Sequence, residues 1–459
     1  MKVRNSEIAF ALFSLVHAVL FTRPAEVVDA LQALPIYYVV MSACLVVSLP
    51  SMLDALVRRN VYSHPAFLCM TAFCVVSLMS IFVNAKSLPE ASDEGIELIK
   101  TFLYFVLFLA LVDSPWRLRV IIVFLTLFGM VTTSIALLHF FEIVRFSAIR
   151  VVKELLETPS GEMFVERLQF TGILQDPNEA CVYLSMLCIY ALHGLTDRAS
   201  GIWRVLWIAP LALFLVAIAS TQSRGGLLAL LVGLVVYWIY SFGGKKGVMY
   251  CLLGVPVVLV AFAGRQTQFS GATTGSTRIG LWSDWMDEFR NNPILGIGPK
   301  VKSIGDAVGA PAPSADDDDR SQRAELKHLA HNSYLQGFAD TGLIGGMFFL
   351  GAFTFVFFSM NRYASFQRIF ILDPELRRLH PCIVGATAVY GMGMLTLSLN
   401  YIVVTFFALA VPISFVSMMR TIPRVEDEQL DIGTGVRLVA ISIAFLGFIY
   451  ILIRLFRNY

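Results

Sequence analysis

Apolar runs of about 15 to 25 residues follow one another along almost the whole chain, separated by short polar stretches. A helix rises about 1.5 Å per residue, so runs of this length cross, or nearly cross, a hydrocarbon core of about 30 Å. The pattern predicts spans at 8–21, 34–53, 65–83, 96–112, 118–141, 180–194, 203–220, 225–240, 248–263, 334–360, 381–399, 402–419 and 436–455. The expected fold is all-α, a polytopic helical membrane protein of about 12 to 13 transmembrane helices. Residues 1–459 form a single integral membrane domain, with no internal repeat and no soluble domain. The first run, Ile8 to Phe21, follows Lys2 and Arg4 as a signal peptide would. No small-x-small cleavage site follows it and another span does, so it reads as a retained helix.

Basic residues of short loops orient such a protein. With the N-terminus inside, one set of loops holds Arg58-Arg59, Arg117 and Arg119, Arg198 and Arg204, Lys245-Lys246, Arg362 through Arg378, and Arg420 with Arg424. The opposite short loops hold little beyond Arg23, Lys86 and Arg224. The first set is therefore cytoplasmic. An odd span count then puts the C-terminus outside. Arg454 and Arg457 favour the inside, which a non-spanning terminal segment would reconcile. Two long loops fall outside, 142–179 and 265–332. Structureless loops beyond about 12 to 15 residues are usually functional or disordered. The second loop carries a helical stretch, Leu281 to Phe289, which reads as a lid helix on the membrane surface. Its Pro/Ala/Asp segment, Ala310 to Asp319, reads as mobile.

Composition agrees with this picture. The chain is 57% hydrophobic and 15% charged, with a mean hydropathy of +0.72. Soluble domains average about 25% charged residues. The net charge of +2 suggests no nucleic-acid partner. All seven cysteines lie in or at the edge of apolar runs, which argues against a disulfide framework or a thiolate metal site.

Against this background five polar clusters stand out, each at the end of an apolar run. They are Arg167-Leu168-Gln169-Phe170-Thr171-Gly172 running to Asp176-Pro177-Asn178, Thr221-Gln222-Ser223-Arg224-Gly225-Gly226, Arg278-Ile279-Gly280-Leu281-Trp282, Asn292-Pro293-Ile294-Leu295-Gly296-Ile297-Gly298, and His331-Asn332-Ser333 with Gly342 beyond. Arg224 opens a span after a tight outer turn. Gly225 and Gly226 are expected to leave backbone amides uncovered there. Amides, helix dipole and guanidinium would together suit a phosphate; the alternative is an arginine snorkelling to headgroups. Arg278 begins the outer amphipathic stretch. Trp282 and Trp285, one turn apart, suggest a helix along the outer leaflet with Arg278 at phosphate depth; an ordinary basic residue on an interfacial helix reads the same way.

His331 titrates near neutrality and can accept a hydroxyl proton. Asn332 and Ser333 are placed to orient it, and a capping histidine is the plainer alternative. His328 raises a metal option, but cysteine partners are lacking, and Asp316 to Asp319 reads as a solvated acidic run. Asp176-Pro177-Asn178 is a turn and helix-start signal. Glu97 and Lys100 form a candidate pair inside a span, functional or stabilising. His17, His139 and His193 read as structural. The topology places Arg167, Arg224, Arg278 and His331 on one outer face.

The order Ser-Arg-Gly after a span, Arg-x3-Trp and Asn-Pro-x-Leu-Gly-x-Gly in a large outer loop, then His-Asn and a glycine before the next span resembles the O-antigen ligase and polymerase superfamily. That superfamily also includes protein O-oligosaccharyltransferases. The similarity runs from about Arg167 to Gly346. The family core generally has twelve spans with both ends inside, against thirteen here. The resemblance implies a bacterial inner-membrane enzyme with its active site facing the periplasm. It implies transfer of a glycan from an undecaprenyl diphosphate carrier to a lipid A-core or glycan acceptor among membrane lipids. No cofactor or metal is implied, because the donor carries its own leaving group. By motif, Arg224, Arg278 and His331 correspond to catalytic positions. Arg167, Asn178, Ser223, Trp282 and Asn332 are the expected substrate contacts. The Arg167 to Asn178 segment looks more like exopolysaccharide-linked members than lipopolysaccharide ligases. Ligase and polymerase therefore both stay open, with the ligase type preferred and a protein acceptor less favoured. A transporter for an anionic glycolipid and a membrane scaffold are the readings from other classes. Transporters usually bind near the midplane, often between repeated halves, and a scaffold needs no converging arginines.

Overall fold

Five helices begin the same way: a polar residue caps the N-terminus and proline occupies the first turn. His64 precedes Pro65, Ser87 precedes Leu88-Pro89, Ser114 precedes Pro115, Asp176 precedes Pro177 and Asp373 precedes Pro374. In each, the cap side chain accepts a backbone N–H of the first turn. Such a cap contributes about 1 kcal/mol, and proline costs nothing where the amide would have no helical partner. Apolar length then carries each helix across.

The structure, a computed structural model, describes residues 2–31, 34–58, 60–146, 149, 152–158, 161–170, 174–262, 272–301, 329–362, 371–419 and 431–456. The helices are α1 (Lys2–Thr22), a short α2 (Pro24–Val27), α3 (Ile36–Arg58), α4 (Pro65–Asn84), α5 (Leu88–Leu111), α6 (Pro115–Phe140), α7 (Pro177–Thr196), α8 (Ile208–Thr221), α9 (Arg224–Phe242), α10 (Gly244–Ala261), α11 (Ala272–Asn291), α12 (Ser333–Arg362), α13 (Pro374–Met394), α14 (Val403–Met418) and α15 (Ile432–Phe456). Apart from α2 and α11, each coincides with one of the thirteen expected apolar segments. Among the described residues, nine helices are long and apolar enough to cross a membrane. The other four, α5, α10, α13 and α14, are shorter or charged at one end and complete the bundle.

The most extensive packings are α9 on α13 and α4 on α12, with α7 holding α8, α9 and α13. Small residues allow the close approaches: a Cβ on Gly233 of α9 would sit 2.2 Å from Val389 Cγ2 of α13.

The two ends of the bundle differ chemically, as loop charge requires. At one end Arg117 donates to Glu7 at 2.6 Å and Asp113 at 3.1 Å, Arg119 pairs with Glu375 at 3.4 Å, and Arg378 lies 3.6 Å from Asp197. The expected Glu97–Lys100 pair is present, with Lys100 also over the Tyr38 ring. His17 lies within hydrogen-bond distance of the Phe13 carbonyl and the Tyr104 hydroxyl, which fits a structural role. The end of α15 packs beside the start of α12: Ile449 and Ile453 cluster with Leu335 and with Met286 of α11.

Two features depart from expectation. The first long loop contains an antiparallel hairpin, β1 (Val152–Thr158) with β2 (Gly161–Arg167), in register from Val152 opposite Arg167 to Thr158 opposite Gly161. Its alternation is masked by charged residues on both faces, and a hairpin within a loop leaves no long apolar run. The helix expected over Leu281 to Phe289 is α11, about twice the length read from its apolar residues. Its tryptophans do not lie on lipid alone. Trp282, Trp285 and Phe289 pack half-buried against α12 and α15. Ala310 to Asp319 and His328 lie outside the described residues.

α12 breaks at Gly342, where φ is +69°. A break inside a membrane leaves backbone groups without helical partners, which must be satisfied by protein. The Asn292–Gly298 segment does this. Ile297 N–H donates to Ala339 O at 3.0 Å, Gly298 N–H to Asp340 O at 3.0 Å, and Leu343 N–H to Pro293 O at 2.8 Å. Ser80 of α4 closes the clasp, its hydroxyl 2.5 Å from Leu295 O and 2.8 Å from Asp340 O. A Cβ on Gly342 would lie 2.1 Å from Ile294 O. Gly342→Ala is therefore expected to lower the thermal unfolding temperature in detergent. This positive-φ conformation, with ψ −169°, is one that essentially only glycine adopts, and it alone costs another residue about 1 to 3 kcal/mol before any backbone moves. Gly280→Ala, in open space on α11, is expected to be neutral; equal effects from the two would remove the clasp from the account.

Candidate functional site

Arg167 ends β2 and is buried. Its Nε donates to Thr221 O at 2.8 Å and its Nη2 to Asn178 Oδ1 at 2.8 Å, while Leu168 N–H bonds Ser220 O at 3.0 Å. The hairpin thus docks on the last turn of α8 and the first turn of α7. Asn178 enters the site as the residue that holds Arg167. Asp176 caps α7 by accepting from Asn178 N at 2.7 Å and Glu179 N at 3.2 Å.

The turn after α8 brings Arg224 alongside. Gln222 adopts a left-handed backbone, φ +55°, which reverses the chain in two residues. Ser223 caps α9, its Oγ accepting from Gly226 N at 3.2 Å. This corrects the expectation for the two glycines. The Gly226 amide is taken by Ser223, and both glycines are buried because neighbours press against them. A Cβ on Gly226 would meet Cys181 Sγ at 2.2 Å, and one on Gly225 would meet Thr396 Oγ1 at 2.7 Å. Their small size lets α9 start against α7 and against residues 395–402. Arg224 lies half-buried at that junction.

Arg278, half-buried on α11, completes the group. Burial lowers its guanidinium pKa, the nearby Arg224 and Arg167 lower it further, and Asp176 acts in the opposite sense. It stays protonated, since arginine titrates far above neutrality. Arg224 of α9 and Arg167 of the hairpin thus each lie within electrostatic reach of Arg278 on α11, as does the Asp176 carboxylate. Like charges gathered out of water favour a bound anion.

His331 joins this group through residues 395–402, the turn between α13 and α14. Its backbone is left-handed, φ +48°, a conformation that costs a non-glycine residue about 1 to 3 kcal/mol and collects at functional positions. Its N–H is held by Ser398 Oγ at 3.1 Å. Ser333 Oγ donates to Leu397 O at 2.6 Å and accepts from Leu399 N at 2.8 Å, and Asn400 Nδ2 donates to Ser333 O at 2.6 Å. Tyr401 donates its hydroxyl proton to the Asp340 carboxylate at 3.1 Å. The same turn carries Thr396 against Gly225, so one segment spaces Arg224 from His331. Asn332 and Ser333 also serve the surrounding backbone. Asn332 Oδ1 caps α12 by accepting from Leu335 N at 3.1 Å, Ser333 ties the 395–402 turn, and Ser398 holds the histidine.

Three polar atoms of the motif residues are buried without a hydrogen-bond partner among the described residues: Gln169 Oε1, Trp282 Nε1 and Asn332 Nδ2. A buried donor or acceptor left unpaired costs about 1 to 3 kcal/mol, so each is a place where a bound group can offset the cost. Motif reading placed Asp176 and Gln169 in a cluster without a role in the site, and it passed over Ser398. Asp176 was masked by its role as a helix cap, and Ser398 sits in a turn with no polar cluster to mark it.

No curated protein matches the chain. Residues 209–350 match the family model described as O-Antigen ligase. The match runs from α8 into α12 and contains Arg224, Arg278 and His331, and over that segment it supports the O-antigen ligase and polymerase superfamily.

Proposed function

We propose that the protein is a glycosyltransferase of the bacterial inner membrane. It transfers a glycan from undecaprenyl diphosphate to an acceptor hydroxyl on the periplasmic face, in the manner of an O-antigen ligase. The observation that carries this reading is the grouping of Arg167, Arg224 and Arg278 at one end of the bundle. A diphosphate is the anion such a group suits, and fixed guanidiniums lower the barrier by meeting charge as it develops on the leaving group. Trp282 and Asn332 contribute buried donors. Asn178 holds Arg167, and Ser223 caps the helix that Arg224 opens.

In the reaction, the acceptor oxygen forms a bond to the anomeric carbon as the bond from that carbon to the phosphate oxygen breaks. The electron pair leaves with the diphosphate, which the arginines hold. The hydroxyl proton passes to His331. Direct displacement inverts the anomeric centre. No metal is assigned a step, so activity is expected to survive EDTA.

A polymerase of the same superfamily is the second reading, favoured by the Arg167 to Asn178 segment. An anionic-glycolipid transporter is less well supported. Its signature would be a broken helix lining a path, whereas the break in α12 is filled by the Asn292–Gly298 backbone. Glycan analysis of a deletion strain separates these outcomes. Accumulated long lipid-linked chains indicate a ligase, and short glycan on the normal acceptor indicates a polymerase. An unchanged profile would remove both.

A further inference from the structure

Beyond the arginine group, α11 carries a second cationic cluster at its C-terminal end. The Arg290 guanidinium lies 4.9 Å from the centroid of the Tyr450 ring, and that of Arg454 lies 5.5 Å from the same centroid. Arg454 Nε donates to Tyr450 Oη at 3.0 Å, and Arg290 Nη1 donates to Asp287 at 3.3 Å. These side chains border a cleft of about 200 Å³ between α11 and α15, with Ser283 at its edge and Met286 and Ile453 as its apolar floor. The volume is ample for a phosphate group. A single arginine at a helix end would be ordinary snorkelling. Here two like charges from different elements converge on one ring, an arrangement that an anion between them stabilises.

The surroundings identify the anion's carrier. α15 has 25 residues, about 37 Å at 1.5 Å per residue, so its last turn stands at headgroup depth. Phe448, Ile451 and Leu455 on the same helix are exposed and apolar. A headgroup in the cleft thus has an exposed apolar face of the same helix, about a quarter-turn or more around it, for its acyl chains.

We propose that this cleft binds the phosphate of an anionic membrane phospholipid, distinct from the Arg167–Arg224–Arg278 group, and that the bound lipid holds α11 against α15. The test uses the purified full-length protein in detergent with phosphatidylglycerol, phosphatidylcholine or inorganic phosphate, read by native mass spectrometry and thermal unfolding. Phosphatidylglycerol is expected to be retained and to raise the unfolding temperature. Arg290→Gln/Arg454→Gln is expected to reduce retention at least about tenfold, equivalent to about 1.4 kcal/mol. Both guanidiniums are exposed, so the lipid-free double variant is expected to unfold like the wild type. A charge-retaining Arg290→Lys/Arg454→Lys protein is expected to keep part of the binding. Equal retention by the Lys and Gln forms, or by phosphatidylcholine and phosphatidylglycerol, overturns the proposal. Equal stabilisation by inorganic phosphate assigns the cleft to a soluble anion and overturns it as well.

Discussion

Replacing His331 with alanine is expected to lower turnover by about 10²- to 10⁴-fold while donor binding is retained. That is the range for a positioned general base. The imidazole is assigned to the acceptor hydroxyl, whereas the diphosphate is assigned to the arginines, so the loss belongs in kcat and not in donor affinity. The measurement is transfer by purified protein with lipid-linked glycan, in the presence of EDTA, alongside donor binding. Full activity in His331→Ala would exclude its catalytic role, and complete loss of wild-type activity in EDTA would revive a metal. Ser398→Ala supplies a graded comparison. Ser398 holds the His331 backbone at 3.1 Å and acts through it. One such hydrogen bond contributes about 1 kcal/mol. A modest fall in kcat with KM unchanged is therefore expected; a loss as deep as that of His331→Ala would mean that Ser398 itself meets substrate.

Arg224→Ala is expected to weaken donor binding and to reduce kcat/KM by about 10²- to 10³-fold, the usual cost of removing one fixed charge-stabilising donor. The guanidinium lies at the start of α9, where helix dipole and side chain act together on an anion. Arg224→Lys should recover activity only in part, because an ammonium is a point charge and lacks the planar fork. Arg278→Ala should fall in the same class, since the two lie within electrostatic reach of each other. Donor affinity measured with the diphosphate-linked lipid is the discriminating quantity. An Arg224→Ala protein that binds donor as tightly as wild type, yet transfers slowly, would move this residue from binding to the acceptor side.

Much of the architecture is legible in the chain because a bilayer imposes a one-dimensional rule. Apolar length marks the helices, and loop charge sorts their ends, so thirteen segments and the two chemically distinct faces emerge before any contact is known. Motif spacing picks out Arg224, Arg278 and His331 for the same reason: polar clusters at span ends are rare enough to notice. Asp176-Pro177-Asn178 marks the start of α7 to the residue. What α11 packs against, why Gly225 and Gly226 are small, and what fills the break at Gly342 depend on neighbours far away in sequence. The Asn292–Gly298 segment reads as a motif, yet its work is to supply backbone partners to α12, which only the folded chain reveals. The hairpin escaped notice because its short strands leave no apolar run. Residues 395–402 straddle the junction of two expected spans, 381–399 and 402–419; tertiary packing makes them the bridge between Gly225, next to Arg224, and His331. Local sequence determined which segments enter the membrane and which charges lie at their ends. The tertiary structure decided which of those charges meet, because that depends on helix packing and buried backbone hydrogen bonds that no single segment can satisfy alone.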